Sequence, residues 1–201
     1  MAWRKILLDT CVYLRLARHV HPLLAQDFGN PPCRLYLIPE FQDEFLRQPR
    51  LQGKFAWVAD PEYVQDRSAP MLLTSDQLRM RDRVAEALDA DAFDRDIALS
   101  RVDISAMASA LVMEFPLASD DGGLRELAEI WDVECVGTHA LLRHLRDQER
   151  VDGEIVERVL REMEQLPDMP AGYTTDKRRL FPEFPSRFPS PPGTPSSARG
   201  L

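Results

Sequence analysis

The stretch Lys5-Ile6-Leu7-Leu8-Asp9-Thr10 reads as a short strand that runs straight into a carboxylate. Three consecutive apolar residues after a lysine leave no polar face. That is the pattern of a strand covered on both sides, as in a parallel sheet. Asp9 then stands where such a strand emerges, at the edge where open α/β sheets build their sites.

Working outward, strand-like and helix-like segments alternate. Val12 to Leu24 carries apolar residues at loosely helical spacing, ended by Gly29-Asn30-Pro31-Pro32. Leu35–Ile38 predicts a second strand. Pro39 suits the first turn of a helix with Phe41, Phe45 and Leu46 on its apolar face. Phe55–Val58 is compatible with a strand, inside a segment (49–70) that otherwise reads as loop. Ser75 or Asp76 can cap a helix running through Leu88, with Leu78, Val84 and Leu88 as contacts. Asp103 opens a helix with Ile104, Met107, Ala108 and Leu111 at core spacing. Pro116–Ser119 predicts a short strand, Leu124 to Trp131 a helix, and Val133–Val136 a strand. Thr138 is placed as the cap of a helix bearing Leu141, Leu142 and Leu145. A final amphipathic helix is expected over 152–166 on Ile155, Val159 and Met163. This alternation predicts an α/β fold, a three-layer α/β/α sandwich around a mainly parallel sheet. One domain is expected over 1–166. Residues 167–201 are expected to be a Pro/Ser-rich, basic tail without a fold of its own.

At 44% apolar content the chain can bury a sizeable core. No apolar run reaches the roughly 18 residues that a bilayer span needs. The first residues lack a small-residue cleavage site, so a cytoplasmic protein is expected. Cys11, Cys33 and Cys135 lie far apart with no CxxC pairing, which predicts buried free thiols. The net charge is −8, and residues 177–201 contribute +4, leaving −12 on the body. An acidic body is a poor partner for nucleic acid unless a divalent cation sits among its carboxylates.

Four acids from remote positions are predicted to converge on one rim. Asp9 follows the first strand and Asp120 follows Leu117-Ala118-Ser119. Glu44 lies one turn beyond Leu35–Ile38, and Asp103 starts a helix. Each alone has a plain reading as a cap, a turn or a solvated residue. Together they repel: two charges about 4 Å apart cost on the order of 4 kcal/mol at an effective dielectric near 20. Such a cluster calls for a cation or shared protons. Oxygen ligands without His or Cys favour Mg²⁺ or Mn²⁺, which can polarise a phosphodiester and activate water. Glu40 can replace Glu44, and Asp121 can serve beside Asp120 or in its place; Asp120 is favoured.

These stretches together resemble PIN-domain ribonucleases. Ile6-Leu7-Leu8-Asp9-Thr10 looks like the opening strand and first acid. Pro39 followed by Glu44 resembles the second acidic position. Asp103-Ile104-Ser105-Ala106-Met107-Ala108 resembles the helix start with the third. Leu117-Ala118-Ser119-Asp120-Asp121 resembles the strand end with the fourth, and Gly137-Thr138 before a leucine-rich helix fits a prokaryotic subgroup. The family usually has Asn or Ser where Cys11 stands. The resemblance implies a Mg²⁺- or Mn²⁺-dependent endoribonuclease, often the toxin of a toxin–antitoxin pair. Asp9, Asp103 and Asp120, with Asp121, would hold the metal, Glu44 would complete the site, and Thr10 and Ser119 would contact substrate or water. RNA, an antitoxin protein and a homodimer are the implied partners.

Two other classes compete. One is a catalytically inactive PIN-like module that binds a protein or RNA. The other is a metal-dependent phosphatase of a different α/β family, against which the sequence DTCVY after the first strand lacks a phospho-aspartate pattern. No GxSxG, GxGxxG or GxxxxGK[ST] motif is present. The His19/His21 pair has no third ligand, and Lys177-Arg178-Arg179 is expected to be solvated.

Overall fold

In the computed structural model, which describes residues 4–68, 71, 73–165, 169–170 and 172–185, four parallel strands form one sheet in the order β2-β1-β3-β4. They are β1 (Lys5–Leu8), β2 (Arg34–Leu37), β3 (Leu117–Ala118) and β4 (Cys135–Val136). β1 pairs with β2 from Lys5↔Arg34 to Leu8↔Leu37 and with β3 at Leu7↔Leu117 and Leu8↔Ala118. The chain leaves β1 toward β2 on one side and later returns to β3 on the other. The strand order therefore reverses between β1 and β3, where α/β sheets open a crevice.

The alternation of side chains along the strands divides the core. Ile6, Leu8, Leu35, Leu37 and Ala118 face one cluster, completed by α1 (Thr10–Leu16), α8 (Thr138–Asp147), α9 (Gly153–Gln165) and α10 (Tyr173–Leu180). Leu7 and Leu117 face the other, built from α5 (Ser75–Asp94), α6 (Arg101–Met113) and α7 (Gly122–Ile130). Helices cover both faces, which is the predicted three-layer arrangement, with every strand pair parallel. The remaining helices are α2 (Glu40–Arg47), α3 (Pro49–Lys54) and α4 (Pro61–Asp66). No helix among the described residues is long and apolar enough to cross a membrane.

Several local expectations need correction. The helix after Asp9 stops at Leu16, well short of Gly29-Asn30-Pro31-Pro32, where it was expected to end. Pro22 cannot continue a helix. The buried Asp66 instead accepts bonds from the backbone N–H groups of Leu23, Leu24 and Ala25. Residues Ala56–Ala59 form a 3₁₀ turn, not a strand. Thr74, not Ser75 or Asp76, caps α5 in a capping box with Gln77, and the helix continues to Asp94. Leu46 and Leu78 are exposed. Gly137 precedes α8, with Thr138 as its first residue. Of the three thiols, all free, only Cys33 is fully buried.

The largest correction concerns the C-terminal boundary. Residues 173–185 are not an unfolded tail: α10 packs on α8, and Tyr173 and Phe181 are buried in the first cluster. The Tyr173 hydroxyl donates to the Leu160 carbonyl at 2.8 Å, and Arg143 donates to the Leu180 carbonyl at 3.0 Å. Lys177 is buried against Glu164, while Arg179 pairs with Asp176. The basic triplet is thus partly structural. Proline content masks this because two aromatic anchors and one buried pair suffice to dock a single short helix. Leu166 and the stretch 186–201 lie outside the described residues.

Because Phe181 is completely enclosed, Phe181→Ala is expected to cost about 3–5 kcal/mol in chemical denaturation. A loss below about 1 kcal/mol would return this segment to the tail.

Candidate active site

Asp9 is the residue after β1, and its backbone N–H extends the ladder by donating to the Ala118 carbonyl at 2.9 Å. It occupies the N-cap position of α1, yet its carboxylate makes no capping bond. The carboxylate is buried and accepts from the Ser119 hydroxyl at 2.7 Å and from the Cys11 thiol at 2.9 Å. Asp9 forms no ion pair among the described residues. Burial pushes its pKa up from 3.8 to about 6, the two side-chain hydrogen bonds oppose this, and the charge of Asp103 adds to it.

Asp103 is the third residue of α6 and closes a capping box with Ser100. Its carboxylate accepts from the Ser100 N–H at 2.8 Å, and its own N–H donates to the Ser100 hydroxyl at 3.1 Å. Its pKa is raised, first by burial and further by the charge of Asp121. Asp121 caps α7 by accepting from the Leu124 N–H at 2.8 Å, while its backbone N–H donates to the Ser119 hydroxyl at 3.1 Å. Ser119 is fully buried and ties the end of β3 to both acids. Gly123 allows the close approach of α7 here: a Cβ on it would lie 3.0 Å from Ile97.

Glu44, on α2, accepts from the Thr10 hydroxyl at 2.6 Å and from Gln48 at 3.1 Å. Thr10 therefore contacts a carboxylate from another element, directly beside Asp9. A cleft of about 780 Å³ opens next to Glu44 between α2, α5 and α6, with Glu40, Arg81, Asp89, Arg101 and Ser105 among its lining. Glu40 is paired with Arg81 at 2.8 Å. Its charge is thereby compensated, unlike that of Asp9.

Asp120 behaves differently from the acid it was favoured to be. Its carboxylate is held in a buried ion pair with Arg15 and accepts from the Thr138 N–H at 2.8 Å and the Thr138 hydroxyl at 2.5 Å. The acid nearest in sequence, Asp121, is the one that acts electrostatically on Asp103. Among the described residues no three acids, cysteines or histidines are gathered into a group that could hold a metal ion. The acids at this edge act on one another electrostatically, Asp103 on Asp9 and Asp121 on Asp103.

His19 and His21 are engaged elsewhere. His19 pairs with Glu162, and His21 packs against the Tyr63 ring at 4.6 Å. Arg15, Thr138 and Cys11, none of them acidic, touch the site acids. The one available signal was an arginine embedded among the buried residues Val12, Tyr13, Leu14 and Leu16 of α1. Such an arginine needs a carboxylate.

No protein-family model matches this chain, and no curated protein matches it. Among solved structures it is similar to FitAcB from Neisseria gonorrhoeae, at 15% identity over 66% of this chain and 97% of that one, with a TM-score of 0.44. A likeness of that degree is silent on activity, which must rest on the carboxylates themselves.

The raised pKa of Asp9 has a consequence for stability. Between about pH 4 and 6 the native state takes up a proton that the unfolded chain does not hold. Above about pH 6 the fold carries a buried charge, at a cost on the order of 2–3 kcal/mol. Asp9→Asn is therefore expected to raise the melting temperature at pH 7.5 in the presence of a chelator, with the gap closing as the pH falls toward 4. A variant less stable than wild type at pH 7.5 would contradict this.

Proposed function

We propose that this chain is a PIN-like endoribonuclease that uses Mg²⁺ or Mn²⁺ to hydrolyse RNA phosphodiester bonds. The observation that carries the reading is the buried Asp9 carboxylate at the β1/β3 crevice. It has no basic counter-charge among the described residues, and a second acid, Asp103, already raises its pKa. Asp9, Asp103 and Asp121 are the residues that would hold the ion, with Asp121 in place of Asp120. When bound, the ion would activate water and stabilise charge on the phosphate.

The chain's own contribution is positioning. Ser119 orients Asp9 through its hydroxyl and Asp121 through its backbone. Thr10 fixes Glu44 at the mouth of the cleft, where its carboxylate can align water or accept a proton. An antitoxin-like protein partner and a role as a toxin belong to the same reading, on the strength of the sequence resemblance.

A second reading is favoured by one observation. The ion pair of Asp120 with Arg15, together with the lack of a gathered three-ligand group, suits a PIN-like module that binds a partner without cleaving.

Cleavage of a structured RNA, assayed with and without Mg²⁺, separates the two readings. The nuclease reading expects Mg²⁺-dependent cleavage that falls by about 100-fold or more in Asp9→Asn and Asp121→Asn, the scale of losing one charge-stabilising group. Equal activity in wild type and both variants would remove these residues from the chemistry. No cleavage by wild type at any Mg²⁺ or Mn²⁺ concentration would favour the binding module.

A further inference from the structure

The two aromatic anchors of α10 close over one histidine. His139, on α8, is only 3% exposed. Among the described residues its ring packs edge-on against Tyr173, with centroids 4.7 Å apart, and at a tilt against Phe181, at 6.4 Å. Its Nε2 is buried and has no hydrogen-bond partner among the described residues. The charged groups that act on the ring are Asp120 after β3, Arg15 on α1, and Asp176 and Lys177 on α10. All four are already matched: Asp120 with Arg15, Asp176 with Arg179, and Lys177 with Glu164 on α9. No acid among them is left to take an imidazolium. His139 is also the second residue of α8, in the first turn, where the helix dipole disfavours positive charge. Burial accordingly pushes its pKa below the ordinary 6.5; Asp120 and Asp176 oppose this, and Lys177 and Arg15 add to it.

This seat accepts a neutral imidazole and rejects a charged one. Well above about pH 6.5 the ring is neutral whether α10 is docked or released, and docking has its full strength. Below about pH 6.5 the released state takes up a proton that the docked state resists. Docking then weakens by up to about tenfold per pH unit. Withdrawal of α10 is enough to bring water to the ring, because both aromatic rings packed on it come from that segment. We propose that α10 is a pH-sensitive latch: protonation of His139 releases Tyr173 and Phe181 and uncovers the face of α8 on which they pack, while the sheet stays folded. The latch is independent of whether the chain cleaves RNA.

The test is amide hydrogen exchange of the full chain at pH 7.5 and pH 5.5, corrected for the intrinsic exchange rate and read over residues 173–181 and over β1. Wild type is expected to lose roughly 10-fold in protection over 173–181 at the lower pH, with β1 unchanged within about twofold. His139→Phe keeps an aromatic ring that cannot ionise, and its protection over 173–181 is expected to stay within about twofold between the two pH values. His139→Gln, which cannot ionise either, is expected to behave the same way and serves where phenylalanine prevents folding. Equal losses over 173–181 in wild type and the non-ionising variant would overturn the latch. Unchanged wild-type protection over 173–181 would overturn it as well. A wild-type loss of the same size in β1 would mean general acid unfolding and would also overturn it.

Discussion

The hydroxyl of Ser119 donates to a carboxylate that the sheet has carried out of water, and the candidate site is arranged around that bond. Asp9 has no freedom to swing away. Its backbone is fixed in the β1–β3 ladder, and the residues before it are wholly enclosed. A buried carboxylate without a cationic partner is costly, and the shift of its pKa to about 6 expresses that cost. Natural folds relieve such a position with a basic residue, as Arg81 does for Glu40 and Arg15 for Asp120. Leaving Asp9 unrelieved, beside Asp103, is what distinguishes this edge of the sheet from an ordinary polar rim.

Placement follows from topology. Asp9 and the Ser119–Asp121 turn emerge side by side because β1 and β3 are neighbours on either side of the reversal in strand order. Asp103 arrives on α6, which packs against β1 and β3. Glu44 arrives on α2, which follows β2, and is anchored by Thr10, so the first acid's own neighbour recruits the second. Local caps fix Asp103 and Asp121, while longer-range bonds from Ser119 and Thr10 fix Asp9 and Glu44. The acids are thus held in place before any ligand arrives.

Much of the architecture could be read from the chain. The apolar runs at Ile6–Leu8 and Leu35–Ile38 announced their strands, since a strand covered on both faces has no polar alternation to blur it. The two-residue strands β3 and β4 were found from their flanking turns and helices. Helix ends were less legible. Thr74 and Ser100 act through capping boxes whose partners lie three residues on. Docking of α10 was hidden because Tyr173 and Phe181 sit in a stretch whose composition argues for disorder. Four acidic positions stand out in the sequence at strand ends and helix starts, but the ion pair of Asp120 with Arg15 does not. Nothing in the pair Asp120-Asp121 says which carboxylate turns inward. That depends on Arg15, over a hundred residues earlier, and on a glycine at 137 that leaves room for the contact.

On the proposed nuclease reading, Asp9 and its acidic neighbours share one divalent cation while Asp120 does not. Anomalous diffraction from crystals of the full chain soaked in Mn²⁺ tests this most directly. One peak is expected, coordinated by Asp9 together with Asp103, Asp121 or both, with Arg15 still paired with Asp120. A peak coordinated by Asp120 with Arg15 displaced, or no peak near Asp9 at saturating Mn²⁺, would contradict it.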